Sequence, residues 1–343
     1  MSTTNLNDIE WKGTSDKTIK RIMDEGIQTV EQLLQYTTKT LSEKIGSGED
    51  TVDKVLRQAI KEYGSAYITG TQALEDIETE WVLSTGSAEF DRILYGGIRS
   101  RGVTEVIGKF KSGKSQLCFT TAVLATQIPY SEDEKPSIAV FIDNEHTFEP
   151  QRVAQIAKER GYDPKTVLSR ILVQKANTSD HQMILINILD VVMKDYNVKI
   201  IIVDGMLSHL RSEYIGRGTL SERQQKLNVM LHKLQSISVA NNIPLLLTNQ
   251  VQADPSGNSY GDPDKPAGGH IMAHANKYRV RLWPGRANTK LVAVIDSSFI
   301  EEEKTRIAVT GAGVVDEDGS FPDYVIGTKR QLVDFTEEEE TDE

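Results

Sequence analysis

The pattern of apolar segments predicts an α/β fold with a mostly parallel central sheet, preceded by a small all-α module. Three observations carry this. From about residue 82 to 330, short runs rich in β-branched residues alternate with longer amphipathic stretches. The first 63 residues show only helical spacing of apolar side chains. A glycine-rich turn joins an apolar strand to an apolar helix at 108–115. With 38% hydrophobic and 26% charged residues in 343, the chain can build a core and is not wholly disordered.

In residues 1–63 the spacing predicts helices at 15–25, 29–36, 40–45 and 49–63. Breaks at Gly13-Thr14-Ser15 and Gly46-Ser47-Gly48 place small or capping residues before the next helix. Residues 64–81, poor in core candidates, read as a linker with an extended piece around Tyr67. In the 82–330 core, strands are predicted at 103–107, 137–142, 171–174, 199–203, 244–248, 278–282 and 291–296. Helices between them are predicted at 114–127, 150–160, 179–194 and 221–241. Residues 331–343, ending TEEEETDE, read as a solvated acidic tail.

Composition narrows the function classes. A net charge of −11 argues against nonspecific coating of nucleic acid, though not against a local basic groove. The single cysteine, Cys118, excludes an internal disulfide framework and fits a reducing compartment. No apolar run approaches the roughly 18–20 residues that span a bilayer, and the polar start lacks a signal-peptide core. A soluble, cytoplasmic protein is expected, with no membrane partner.

The strongest local signal is Gly108-Lys109-Phe110-Lys111-Ser112-Gly113-Lys114-Ser115, which fits the phosphate-binding pattern G-x-x-x-x-G-K-S/T between strand and helix and runs on into Gln116. Glycines let backbone amides turn around a phosphate, and the helix start adds partial positive charge. Lys114 neutralises the outer phosphates, and the Ser115 hydroxyl suits Mg²⁺. The β-branched run at 199–203 ends in Asp204, a second candidate metal carboxylate. Another strand ends Asp143-Asn144-Glu145; Glu145 is the chosen general base, although pattern alone does not separate it from Asp143.

Further along stand Leu83-Ser84-Thr85-Gly86-Ser87, Arg211-Ser212-Glu213-Tyr214-Ile215-Gly216-Arg217-Gly218, Arg223-Gln224-Gln225-Lys226-Leu227-Asn228, Thr248-Asn249-Gln250-Val251, Gly261-Asp262-Pro263 and Gly268-Gly269-His270. With this ordered set the chain resembles the archaeal RadA branch of the RecA-type DNA strand-exchange recombinases, over about residues 7 to 330. The resemblance implies a RecA-type P-loop ATPase core, a helix-hairpin-helix amino-terminal domain, and ATP and Mg²⁺ as cofactors; a K⁺ requirement stays open. It also implies single- and double-stranded DNA as partners, a homo-oligomeric filament or ring, and recombination mediators.

Residue roles follow from the same resemblance. Segment 208–226 has a local excess of two positive charges, and Arg211, Arg217, Arg223 and Lys226 fall in the family's first DNA-binding loop. Residues 251–267 fall in the second, and Gln250 matches the residue that senses the terminal phosphate. Arg152 matches a residue that stacks on adenine. Asp296 matches the segment that caps ATP across a subunit boundary, and His270 a position near the nucleotide. Tyr67 and Gly70 occupy the polymerisation tether. Departures are Lys111 where glycine is common, His146 after the catalytic acid, and Gly205 in place of serine. The departures at Lys111 and His146, with Tyr67 for phenylalanine and Gly70 for alanine in the tether, leave a second expectation open: a paralogue that assists filament assembly without exchanging strands.

Overall fold

The computed structural model describes residues 4–62, 69–216, 218–253 and 264–329. After a tight turn at Leu6–Asp8, four helices follow: α1 (Asp16–Asp24), α2 (Val30–Leu33), α3 (Thr38–Ile45) and α4 (Glu49–Glu62). Their starts obey local chemistry. Ser15 caps α1 through the Thr18 amide, and Thr29 with Gln32 and Thr37 with Thr40 form reciprocal caps on α2 and α3. Ile22, Val30, Leu41 and Val52 meet in an apolar cluster drawn from residues 6–59 alone.

The module is fastened to the remainder by polar contacts. Lys233 Nζ lies 2.6 Å from both Asp190 Oδ2 and Tyr36 Oη, and Tyr36 donates to the same carboxylate. Burial first, then Asp190, pushes the Tyr36 phenol well above its usual range.

Next come α5 (Gly70–Glu78), β1 (Val82–Leu83), α6 (Ala88–Ile93), β2 (Ile98–Arg99), β3 (Gly102–Gly108) and α7 (Lys114–Ala125). Then follow β4 (Ser137–Asp143), α8 (Pro150–Glu159), α9 (Pro164–Ser169), β5 (Ile171–Lys175), α10 (Ser179–Asn187), α11 (Leu189–Asp195) and β6 (Asn197–Asp204). The chain continues through α12 (Ser208–Glu213), α13 (Leu220–Ala240), β7 (Pro244–Ala253), β8 (Asp264–Pro266) and α14 (Gly269–Ala275). It closes with β9 (Tyr278–Pro284), β10 (Thr289–Ser297), β11 (Lys304–Thr310) and β12 (Gly313–Asp316).

The main sheet has the order β12-β11-β10-β9-β3-β7-β6-β4-β5, with β8 paired to β7. From β9 to β5 all pairs are parallel; β9 through β12 form an antiparallel extension. Side chains alternate between two cores. Val106, Phe119, Phe141 and Tyr278 pack on the face carrying α7 and α8, and Val103, Ile201, Leu231 and Leu245 on the face carrying α13. Consecutive parallel strands thus end together at one edge of the sheet, where β3, β4, β6 and β7 deliver their carboxyl-terminal residues. Among the described residues no helix is long and apolar enough to cross a membrane.

Several expectations need correction. The stretch 70–78, read as linker, is a helix because Thr69 and Gln72 cap each other; α5 buries no residue, which is why no apolar pattern marked it. Gly70, placed in the tether, is the first residue of that helix, while Tyr67 lies outside the described residues. The helix expected over 179–194 breaks at Ile188 into α10 and α11. The hairpin of β11 and β12 went unpredicted: β12, at the edge of the sheet, is only four residues long, and β11 shows no strict alternation of polar and apolar residues.

Candidate active site

The loop between β3 and α7 is built for close backbone approach. A Cβ on Gly108 would stand 2.5 Å from Ser112 Oγ and 2.6 Å from the Leu282 carbonyl oxygen. Gly113, at φ 106, opens α7 without any side-chain cap, so the first amides of a twelve-residue helix stay free for an anion. Ser112 is fully buried and its Oγ has no hydrogen-bond partner among the described residues. Lys114 folds back so that Nζ donates to the carbonyls of Gly108 at 3.0 Å and Lys109 at 3.1 Å. Burial lowers its pKa, opposed by the nearby carboxylates of Glu145 and Asp204. Free helix amides, an unpartnered hydroxyl and a desolvated ammonium fit a bound phosphate chain. Phe110 is 85% exposed at the tip, with Lys111 Nζ 5.8 Å from its ring centroid.

Asp204 ends β6, fully buried beside this loop. It accepts from Thr248 at 2.5 Å and Thr147 at 3.1 Å, and Ser115 also hydrogen-bonds to it. Burial nonetheless pushes its pKa up. A hydroxyl and a buried carboxylate in contact at the start of a phosphate-binding helix make a donor set suited to Mg²⁺, held with the help of waters.

The two acids at the end of β4 separate clearly. Asp143 is fully buried and accepts from the backbone amides of Thr147 at 3.1 Å and Phe148 at 3.0 Å, a structural clamp on the loop. Phe148 packs on Phe119 and Phe141, with ring centroids 5.7 Å and 5.0 Å away, and anchors the same loop from below. Glu145 is half-exposed and faces a cleft of about 340 Å³ lined also by Ser208, Arg211, Asn249 and Gln250. Its Oε1 accepts from Gln250 Nε2 at 2.9 Å and from Ser208 Oγ at 3.0 Å. Both donors use one oxygen, which leaves Oε2 for a water proton.

Sequence reasoning gave only Gln250 a task in the run Thr248-Asn249-Gln250. Thr248 holds Asp204 and the Gly205 amide, and Asn249 Nδ2 donates to Glu105 at 2.8 Å. The motif itself was the signal; alternation along a strand assigns its residues to opposite faces. Ser208 and Thr147 carried no mark in the sequence.

Other expected residues are placed differently. Arg152 Nε donates to Gln116 Oε1 at 2.8 Å, while its remaining nitrogens reach Gln155 and the carbonyls of Thr310 and Gly311. It therefore ties α7 to the β11–β12 turn. Asp296 is not at the phosphate loop of its own protomer. It pairs in register with Arg279, which pairs with Glu105, three residues before Gly108 and so about 10 Å back along the strand.

Segment 208–226, read as one mobile loop, consists of α12, a short connection and the first turns of α13. Arg211 is exposed on α12 and Arg223 half-buried on α13; Arg217 lies outside the described residues. Lys226 is not a free cation. Its Nζ donates to Asp180 at 2.5 Å, Ser179 Oγ at 2.7 Å and Tyr214 Oη at 3.3 Å, while Glu213 accepts from the Ser179 amide at 2.7 Å. These contacts tie both helices to the start of α10. Residues 254–263 lie outside the described set, and so does the side chain of His270.

A strand–loop–helix phosphate cradle at the carboxyl edge of a mostly parallel sheet, with carboxylates from two neighbouring strands beside it, defines a RecA-type core. Residues 78–317 match the family model described as Rad51. A meiotic recombination protein DMC1 homolog from Lilium longiflorum is 37% identical over 306 residues, covering 89% of this chain and 87% of the relative. Its counterpart from Arabidopsis thaliana is 36% identical over 306 residues, covering 89% of both chains. The chain belongs to the Rad51 family of recombinases. Both relatives are from plants, so these comparisons support the family and not its archaeal branch.

Proposed function

We propose that this protein is an ATP-dependent DNA recombinase that assembles on single-stranded DNA and pairs it with a homologous duplex. Lys114 and the amides at the start of α7 bind the phosphates; Ser115 and Asp204 hold Mg²⁺, which supplies charge neutralisation when bound. Glu145 Oε2 takes a proton from the attacking water, while Ser208 and Gln250 fix the carboxylate through Oε1. Arg211, Arg217 and Arg223 contact the DNA backbone, so affinity falls with salt. Asp296, remote from its own phosphate loop, serves a neighbour's nucleotide, and Tyr67 with Gly70 belongs to the tether between subunits.

One observation carries the reading most directly: Gln250 touches the candidate base, and β7, on which it sits, runs straight on toward 254–263. A change at the phosphate thereby moves the strand that leads into the second DNA segment. Strand exchange by the purified chain, together with ATP hydrolysis stimulated by a single-stranded oligonucleotide, tests it; absence of both rejects it. A paralogue that assists assembly is favoured by one feature, the left-handed backbone at the departures Lys111 (φ 63) and His146 (φ 56). Stimulated hydrolysis without strand exchange selects that reading.

A further inference from the structure

Glu105 takes part in no step described above, yet it is a fully buried carboxylate in the middle of β3, the strand that ends in the phosphate loop. Such a group is costly unless paired, and an apolar replacement of a buried pair is often as stable. Stability alone therefore does not account for it. Its partners come from three directions. Asn249 Nδ2 reaches Oε1 at 2.8 Å; Asn276 Nδ2 reaches Oε2 at 2.6 Å, and Arg279 Nε the same oxygen at 2.7 Å.

Each partner leads elsewhere. Asn249 also donates to the Ala267 carbonyl at 2.7 Å, just beyond 254–263, and immediately precedes Gln250. Asn276 caps α14 through the Met272 carbonyl. Arg279, 8% exposed, extends Nη1 to within 3.8 Å of Asp296 Oδ2, while its buried Nη2 has no partner among the described residues. One carboxylate thus stands between the catalytic end of β7 and the surface of β10 at Asp296.

We propose that Glu105 and Arg279 are positioning residues that couple one nucleotide site to the next. A pull on Gln250 shifts Asn249 with it, Glu105 follows, and the rigid guanidinium fork transmits the shift to Asp296. The inference rests on the reading that Asp296 meets a neighbouring subunit's nucleotide.

The test uses the full chain, ATP titrations with and without a single-stranded oligonucleotide, and the variants Glu105→Gln and Arg279→Lys. Lysine keeps the ion pair with Glu105 but cannot reach Glu105 and Asp296 together. For both variants the Hill coefficient for ATP is expected to fall toward one. DNA-stimulated kcat should drop on the order of tenfold, with basal hydrolysis and KM held within about twofold. Arg279→Lys should melt like the wild type, so it decides the question if Glu105→Gln fails to fold. A folded Arg279→Lys protein with wild-type cooperativity and stimulation overturns the proposal. A wild type that DNA stimulates without cooperativity in ATP also overturns it while sparing the function proposed above. A wild type that DNA does not stimulate sinks that function and the coupling with it.

Discussion

The phosphate loop and segment 208–226 both carry clustered cations between small residues, but the structure treats them differently. In the loop, Lys114 is buried and bonded to the loop backbone, between Gly108, where a Cβ would clash, and Gly113, whose φ of 106 disfavours a side chain. In 208–226, cations in similar sequence surroundings divide. Arg211 is exposed beside the cleft, Arg223 is half-buried, and Lys226 is spent on holding α12 and α13 against α10. A cation's task is readable where the backbone around it is forced. Where it is not, a count of charges says little.

The largest effect should fall in the loop. Lys114→Ala removes the buried ammonium of the loop, and ATP turnover should fall by at least about 10²-fold; near-normal hydrolysis by the purified variant breaks the contrast. Gly205 comes next, where 208–226 meets the candidate base Glu145. A Cβ there would stand 2.5 Å from Glu145 Cγ and 2.5 Å from Ser208 Oγ, at φ 84. Gly205→Ser should displace Glu145 and lower kcat by up to about 10²-fold, with nucleotide binding retained; steady-state kinetics beside a nucleotide titration separate the two.

Smaller effects sharpen the division among the cations. Arg223→Ala should reduce the salt slope of single-strand binding by about 0.7. Lys226→Met should leave that slope alone and cost no more than about 1 kcal/mol of stability, since Asp180 is 86% exposed and its pair with Lys226 is largely screened. Equal slopes for the two variants would erase the distinction drawn here. The smallest change is Lys111→Gly, which relieves a left-handed backbone at φ 63 and should raise stability by about 1 kcal/mol; a melting temperature unchanged or lowered would show that the Lys111 side chain offsets the strain.

Much of the fold was legible because local rules carry it. Apart from Thr104, Glu105 and Lys199, the runs Val103–Ile107 and Lys199–Val203 are apolar on both faces, as suits buried parallel strands, and the observed β3 and β6 contain them. Thr29 and Gln32 announce α2 by their own side chains. By contrast α5 buries nothing, and β11 passes from polar to apolar residues without alternating, so neither has a periodicity to read.

At the candidate site the sequence alone determined which residues bring chemistry: a lysine and serine at fixed spacing after glycines, and acids at strand ends. These are local because a phosphate cradle is one turn of backbone. Only the tertiary structure decided that Asp143 clamps a loop while Glu145 faces the cleft. It also showed Lys226 engaged, Asp296 distant from its own phosphate loop, and Glu105 joining three strands and the end of α14. Those outcomes depend on which side chains meet across hydrogen-bonded neighbours far apart in the chain, and strand order is set by packing of whole elements rather than by any short run of residues.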